Sequence, residues 1–182
     1  MPASRAGTVA SSVRTALAME RDWLRRIPED DRRFIPWIPF QLFSFVALMA
    51  EAGKELKDPE HYLEIGSKML IARDLFGLDA RGFDRVGEFV RAACSVGLNA
   101  VTADAREYAG YGRADVIWFN RVARDTGIEA EVEVWRSARP GAVVICANLE
   151  QAPPAHWFPV LDDWDSGRRG IWQKPGEPGT GW

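Results

Sequence analysis

Residues 61–84, HYLEIGSKMLIARDLFGLDARGFD, contain the pattern that decides the fold. Tyr62–Ile65 is a short apolar run apart from Glu64, Gly66 interrupts it, and Met69–Phe76 then carries apolar side chains at helical spacing. Glycine lets the backbone turn sharply between a strand and a helix, and it exposes the N–H groups at the helix start to a bound group. The stretch therefore predicts a strand and a helix that meet at a ligand-binding corner.

The same strand and helix pattern continues along the chain. Further strands are predicted at Arg81–Asp84, Asn99–Thr102, Val116–Phe119 and Ala142–Cys146, with helices at Gly87–Val96 and Thr126–Ala138 between them. Alternation of this kind predicts an α/β fold with a parallel sheet, and right-handed crossovers place all the strand carboxyl ends at one edge. Four polar residues at or just after the strand ends should therefore converge, namely Glu64, Asp84, Asp104 and Asn120.

The end of the chain has a different pattern. Val160–Trp164 and Gly170–Lys174 flank the polar turn Asp165–Arg168, which predicts a β-hairpin. Pro175–Trp182 is rich in glycine and proline and predicts a flexible end.

The composition excludes several classes of protein. The chain has 182 residues, 47% hydrophobic and 27% charged, with a formal net charge of −3, which indicates an ordinary globular domain and gives no electrostatic case for nucleic-acid binding. Cys94 and Cys146 lack metal-site spacing, so we expect reduced thiols and no metal. The most apolar stretch, Phe40–Ala50, is too short to span a membrane and contains Gln41 and Ser44, and a cytoplasmic location is expected.

Residues 1–40 form an extension before the main domain, which we assign to 41–175, and 176–182 form a tail. An amphipathic helix is predicted over Ser12–Ile27, and its arginine-rich face is either solvated or a nucleic-acid contact; interleaved acids favour the solvated face. Phe34–Phe40, FIPWIPF, is expected to be an ordered connector that covers the core, with partner binding as the alternative. A helix over Gln41–Lys57 follows.

Taken together, these elements resemble the class I S-adenosylmethionine-dependent methyltransferases from about Leu42 to Trp172. That family has an acidic residue followed by Gly-x-Gly-x-Gly at the first strand end, where this chain has Glu64-Ile65-Gly66-Ser67-Lys68-Met69-Leu70. The acid and the first glycine match, whereas Lys68 and Leu70 occupy positions at which the family keeps the backbone open. The resemblance implies a three-layer sandwich whose mostly parallel seven-stranded sheet has the order 3-2-1-4-5-7-6 and ends in the antiparallel hairpin.

The resemblance also implies a cofactor site for S-adenosylmethionine. At matched positions, Gly66 would approach the methionine moiety, Glu64 would neutralise its ammonium group, Asp84 would accept from the ribose hydroxyls, and Asp104-Ala105 would meet the adenine. Asp104 has a structural alternative, since an acid there also caps the following turn. Ser67, Lys68 and Asn120 complete the set implied by the resemblance. Lys68 would either pair with the cofactor carboxylate or crowd the cleft.

Methyl transfer from a sulfonium needs little acid–base help, and no catalytic base is assigned. His156, Tyr108 and Asp125 are candidates within reach of the cleft, although a histidine after Pro153-Pro154 is more often a loop residue.

Two hypotheses about function follow. The first is a methyltransferase that acts on a small molecule or an assembly component. The second is a catalytically inactive module with this fold, which uses the N-terminal helix and the FIPWIPF segment against protein partners. A nicotinamide dehydrogenase ranks below both because Gly-x-Gly-x-x-Gly is absent from the sequence, and a P-loop is excluded by its missing Gly-Lys-Ser ending.

Overall fold

The computed structural model describes residues 14, 18, 42–56, 58–64, 68–120, 127–147, 149–163 and 169–176. Arg14 and Ala18 are helical and exposed, and the remainder of the predicted helix Ser12–Ile27 lies outside the described residues. So do the segment Phe34–Phe40 and the predicted turn Asp165–Arg168.

A seven-stranded sheet forms the centre of the fold, with the order β3-β2-β1-β4-β5-β7-β6. In chain order its strands are β1 (His61–Glu64), β2 (Asp79–Asp84), β3 (Asn99–Thr102), β4 (Val116–Asn120), β5 (Val143–Ala147), β6 (Phe158–Asp163) and β7 (Arg169–Gln173). The first five strands pair in parallel, and β7 is antiparallel to both β5 and β6. The predicted topology and the terminal antiparallel pair are confirmed.

In the part of the chain from Leu42 onward that the structure describes, four helices and one short 3-10 turn flank the sheet. They are α1 (Leu42–Ala52), α2 (Met69–Phe76), α3 (Gly87–Ser95) and α4 (Gly127–Ser137), with the 3-10 turn at Tyr111–Arg113. The bounds of α2 and β3 agree with the sequence prediction to the residue, and α1 is shorter than predicted. Gly77 ends α2 with φ +75°, a left-handed conformation that favours glycine.

Apolar side chains fill both sides of the sheet, which creates three layers. On one side α1 and α2 cover the sheet, with residues such as Phe45, Met49 and Leu70 buried, and α3 adds half-buried contacts. On the other side α4 packs through Ala130, Val134 and Trp135, together with Tyr111 from the 3-10 turn. The interior is therefore divided into two hydrophobic clusters, one on each face of the sheet.

The connection from β5 to β6 is an extended crossover. Both strands are antiparallel to β7, so the chain must return from the carboxyl edge of β5 to the opposite edge before β6 begins. Residues 149–157 contain no helix. Trp157 ends this connection and packs edge-to-face against Trp135 of α4, with ring centroids 5.0 Å apart. A buried tryptophan pair thus fixes the end of the crossover on α4.

The sheet ends in two different edge strands. β6 contains Pro159 and a break in register between Pro159 and Leu161. β3 is only four residues long and is mostly exposed.

Among the helices the structure describes, none has both the length and the apolar character needed to cross a membrane.

Candidate functional site

The corner between β1 and α2 is built around the carboxylate of Glu64. Tyr62 and Glu64 point to the side of the sheet that α1 and α2 cover, and Glu64 is only 1% exposed. Its Oε1 accepts the backbone N–H of Lys68 at 2.5 Å, and its Oε2 accepts the Tyr62 hydroxyl at 3.3 Å. Residues 65–67 lie outside the described part, so the predicted contacts of Gly66 and Ser67 stay predictions.

This arrangement fixes the start of α2. The Glu64 carboxylate spans the turn and binds an N–H group immediately before the helix, where a negative charge is stabilised by the helix dipole. Burial, and then the charge of Glu64, raise the pKa of Tyr62, so its hydroxyl remains a donor to the carboxylate. Lys68 itself is half-buried, and both predicted roles for its side chain stay predictions.

Asp84 ends the neighbouring strand at the same edge. Glu64 is in register with Gly82, so Asp84 lies two residues farther along β2 and on the same face of the sheet as Gly82. Its Oδ1 accepts the N–H of Val86 at 2.8 Å. Burial raises the pKa of Asp84, while the bond from Val86 and the charge of Arg85 oppose that shift.

Gly82 leaves the space that Met69 fills beneath this corner. A Cβ at Gly82 would lie 2.3 Å from Met69 Sδ and 3.3 Å from the Glu64 carbonyl oxygen. The first residue of α2 therefore packs directly on β2, which holds the Glu64 turn close to Asp84.

Asp104 follows β3 and is held by Arg106. Its carboxylate accepts the Arg106 backbone N–H at 2.9 Å and two guanidinium bonds at 2.9 and 2.7 Å. These bonds lower the pKa of Asp104 to about 2, the side-chain bond from Arg106 having the largest effect. Asp104 therefore caps the following turn, as the structural alternative predicted. Its contact with adenine stays a prediction.

An aromatic group that the sequence analysis did not identify supports this loop. The ring of Tyr108 stacks on Phe83 with centroids 4.1 Å apart, and the Tyr111 hydroxyl donates to the Ala105 carbonyl at 2.9 Å. Phe83 points to the opposite side of β2 from Asp84, toward the α4 layer. Tyr108, predicted as a possible base, is therefore part of the packing that fixes Ala105. The signal in the sequence was the Tyr108-x-x-Tyr111 spacing directly after β3.

The remaining predicted residues are Asn120, His156 and Asp125. Asn120 is the last residue of β4 and is paired with Ala147 of β5, so its backbone is at the carboxyl edge, although its side chain is outside the described part. His156 is exposed two residues before β6, which begins at the amino edge of the sheet, so the prediction that it reaches the cleft is wrong. Asp125 is not among the described residues. Backbone topology thus brings Glu64, Asp84, Asp104 and Asn120 to one edge.

The sequence analysis also missed the buried carboxylate of Glu131 on α4. It is 1% exposed, and its oxygens accept the N–H of Glu150 at 3.0 and 3.1 Å and that of Gln151 at 2.7 Å. No periodic pattern indicates a buried glutamate, because its partners are main-chain groups far along the sequence. Glu131 holds the start of the crossover against α4, next to the carboxyl end of β5.

Within the part of the chain that the structure describes, no group of three or more His, Cys, Asp or Glu residues is arranged to hold a metal ion. Cys94 is exposed and Cys146 is buried, and both are free thiols.

Neither family models nor curated proteins match this chain. Several solved structures are similar to it. The N-methyltransferase NodS from Bradyrhizobium japonicum is 12% identical, with 76% of this chain and 98% of that chain covered and a TM-score of 0.54. An RNA methyltransferase from Salinibacter ruber, solved with S-adenosyl-L-homocysteine, is 13% identical, with 79% and 98% covered and a TM-score of 0.54.

Phosphoethanolamine N-methyltransferase 2 from Haemonchus contortus is 19% identical, with a TM-score of 0.51. The match covers 60% of this chain but only 28% of that longer one. At these identities the likeness concerns the fold, and it agrees with the strand order and the antiparallel end of the sheet. This chain therefore has the fold of the class I S-adenosylmethionine-dependent methyltransferases.

Proposed function

We propose that the protein is an S-adenosylmethionine-dependent methyltransferase. The observation that carries this proposal is the placement of Glu64 and Asp84. The two carboxylates lie on the same face of adjacent parallel strands, at the carboxyl edge and beside the start of α2. Ligands of open α/β sheets bind at this edge, near the point where the strand order reverses, which here lies between β1 and β4.

The residues present are compatible with an adenosyl group. Asp84 is half-buried, and in the proposal its carboxylate accepts from a ribose hydroxyl in addition to the backbone bonds from Val86 and Arg85. The backbone N–H of Ala105, in the loop that Tyr111 supports, would meet the adenine. Because both oxygens of Glu64 already accept hydrogen bonds, we assign that residue to shaping the turn and to a long-range attraction for the ammonium group.

Bound S-adenosylmethionine supplies an activated methyl group on a sulfonium. The contribution of the protein would be alignment: the turn after β1 and Asp84 hold the donor, and the ends of β4 and β5 border the acceptor. Nothing in this scheme requires a side chain that removes a proton. The acceptor would be a small molecule or a component of an assembly.

Calorimetric titration with S-adenosylmethionine and S-adenosylhomocysteine tests the proposal. We expect Asp84→Asn to weaken binding roughly 10- to 100-fold, since hydrogen bonds to charged groups contribute about 1.5–3 kcal/mol. Asp79→Asn is the matched control, because Asp79 lies at the other end of the same strand and is paired with Arg81 at the surface. Absence of heat with both ligands, from a folded chain, would reject the proposal.

The second candidate is a catalytically inactive module of the same fold. It is supported by the protein contacts of all three acids. Glu64 is bonded within its turn, Asp84 to the backbone of Val86, and Asp104 to Arg106. Binding of S-adenosylhomocysteine would favour the enzyme. A chain that co-purifies with a stable partner and binds neither ligand would favour the module.

A further inference from the structure

Helix α4 exposes two large apolar side chains on one face. Ile128 is 50% exposed and Val132 is 40% exposed, and their spacing of four places them one turn apart on the same side of the helix. The next residue in this row is Trp135, which is buried against Trp157 and Trp172 of β7. The exposed pair therefore extends the buried apolar row toward the start of α4, along the side of the helix that faces β5 and β7.

The end of this row that contains Ile128 lies at the carboxyl edge of the sheet. Glu129, beside Ile128, is 3.8 Å from the guanidinium of Arg106, which follows β3. One turn along, Glu131 binds the backbone of Glu150 and Gln151 after β5. Ile128 and Val132 are thus next to the carboxyl ends of the strands, in the half of the site that contains β4 and β5.

The chain enters the domain at the same edge, from the other layer. Gln173 Nε2 donates to the Glu55 carbonyl at 3.3 Å, and Gln173 is paired with Val143 at the start of β5, so the residues after α1 lie at the amino edge. Phe45, near the start of α1, packs edge-to-face on Trp118 in the middle of β4, with centroids 5.0 Å apart. The backbone at the start of α1 therefore lies toward the carboxyl edge of β4 and β5.

The residues immediately before this entry point are apolar. FIPWIPF, Phe34–Phe40, ends one residue before Gln41, and its two prolines favour extended backbone. Layers pack about 10 Å apart, so about 20 Å separates the α1 and α4 layers across the sheet. Seven extended residues reach about 23–25 Å, which is enough to cross that edge.

We propose that the aromatic segment Phe34–Phe40 crosses the carboxyl ends of β4 and β5 and packs on Ile128 and Val132. This occupant is favoured over a second copy because its attachment point lies at the same edge as the patch. Among the described residues, the other exposed large apolar side chains are Phe158 and Leu161 on β6 and Val101 on β3, and Phe158 is paired with Gln173 at the amino edge.

Limited trypsinolysis measures whether the segment is held on α4. Arg32 and Arg33 directly precede it, and cleavage there can be followed by mass spectrometry. We expect Ile128→Asp and Val132→Asp each to raise the cleavage rate about five- to tenfold, because proteolysis follows the population of the open form. Phe158→Asp is the matched control, as it puts the same charge on a side chain that is 58% exposed at the far edge, and it should leave the rate unchanged. Equal rates in all four chains would overturn the proposal.

Disulfide trapping gives an independent measurement. In a Cys94→Ser background, oxidation of the pair Ile35→Cys and Ile128→Cys should yield an intramolecular cross-link, and the pair Ile35→Cys and Phe158→Cys should not. Cross-links that form only between chains would show that a second copy covers α4 and would overturn the proposal. Titration with S-adenosylhomocysteine separates the packing of the segment from the proposed function. A chain that binds the ligand but forms no cross-link rejects only the packing. A chain that forms the cross-link but binds no ligand rejects only the proposed function.

Discussion

The carboxylate of Asp115, at the start of β4, accepts the backbone N–H of His61, at the start of β1, at 2.7 Å. The same oxygen accepts the N–H of Glu60 at 2.9 Å, and the other oxygen is bonded to the guanidinium of Arg139. Asp115 is buried and lies at the amino edge, opposite the candidate site. One carboxylate thereby joins the two central strands and the turn before β5.

Replacement of Asp115 with alanine should lower the free energy of unfolding by about 2 kcal/mol, because two backbone donors lose their charged acceptor. The loss is limited because the side chain of Arg139 is partly exposed and is hydrated in the variant. Urea denaturation measures the loss, and S-adenosylhomocysteine binding by the folded variant should be unchanged. Asp79→Ala, on a surface side chain near the same edge, should cost under about 0.5 kcal/mol. An equal effect of the two substitutions would contradict the assigned role.

Glu131→Gln should loosen the start of the crossover. An amide at this position replaces one acceptor oxygen with a donor that faces backbone N–H groups, so we expect a loss of about 1–3 kcal/mol in stability. Hydrogen exchange at the backbone amide of Gln151 should also become faster in this variant. Glu129→Gln, whose side chain is exposed on the same helix, should change neither quantity. Unchanged exchange at Gln151 in the Glu131 variant would refute this contact.

Gly82→Ala should destabilise the corner beneath the site by about 1–3 kcal/mol, because the added Cβ meets Met69 Sδ. Met69→Ala removes that atom, so the double variant should lose less than the sum of the single losses, by at least about 0.5 kcal/mol in a double-mutant cycle. Strict additivity of the two losses would indicate that the Glu64 carbonyl, not Met69, limits the space.

Asp84 and Asp104 should contribute to the pH dependence of stability with opposite signs. Burial raises the pKa of Asp84 in the folded state, so its ionisation opposes folding, and its contribution falls as the pH rises from the ordinary value of 3.8 through the raised one. The pKa of Asp104 is lowered to about 2, so its contribution is present above 3.8 and is lost as the pH falls from there toward 2. Unfolding measured against pH for Asp84→Asn and Asp104→Asn should show these two slopes relative to the parent chain. The same sign in both variants would contradict the assignment.

The sequence predicts the central topology because the ends of its helices and strands are recognisable. Gly77 ends α2 and Gly97 follows α3, both with positive φ, so these boundaries are encoded locally. The polar strand ends are visible for the same reason, and the edge at which they meet follows from the handedness of the crossovers.

The finer arrangement of the site could be predicted only in part. The Asp104 turn is local, and capping was an alternative offered by the sequence, but apolar spacing does not indicate which polar groups Glu64 and Arg106 bind. The contacts of Glu131 are long-range and leave no local signal. Along α4, Glu131 is buried while Ile128 is half exposed, which reverses the order that hydrophobicity alone would give. Burial of a carboxylate there is favourable only because main-chain donors from after β5 reach it.

The unequal edges of the sheet bear on how the protein would self-associate at high concentration. Proline and the irregular register of β6 deny an incoming strand a regular row of partners, whereas β3 has neither device. Polymerisation by strand addition should therefore begin at β3, and a lysine in place of the exposed Val101 would be the most economical way to improve solubility without touching the ligand-facing residues.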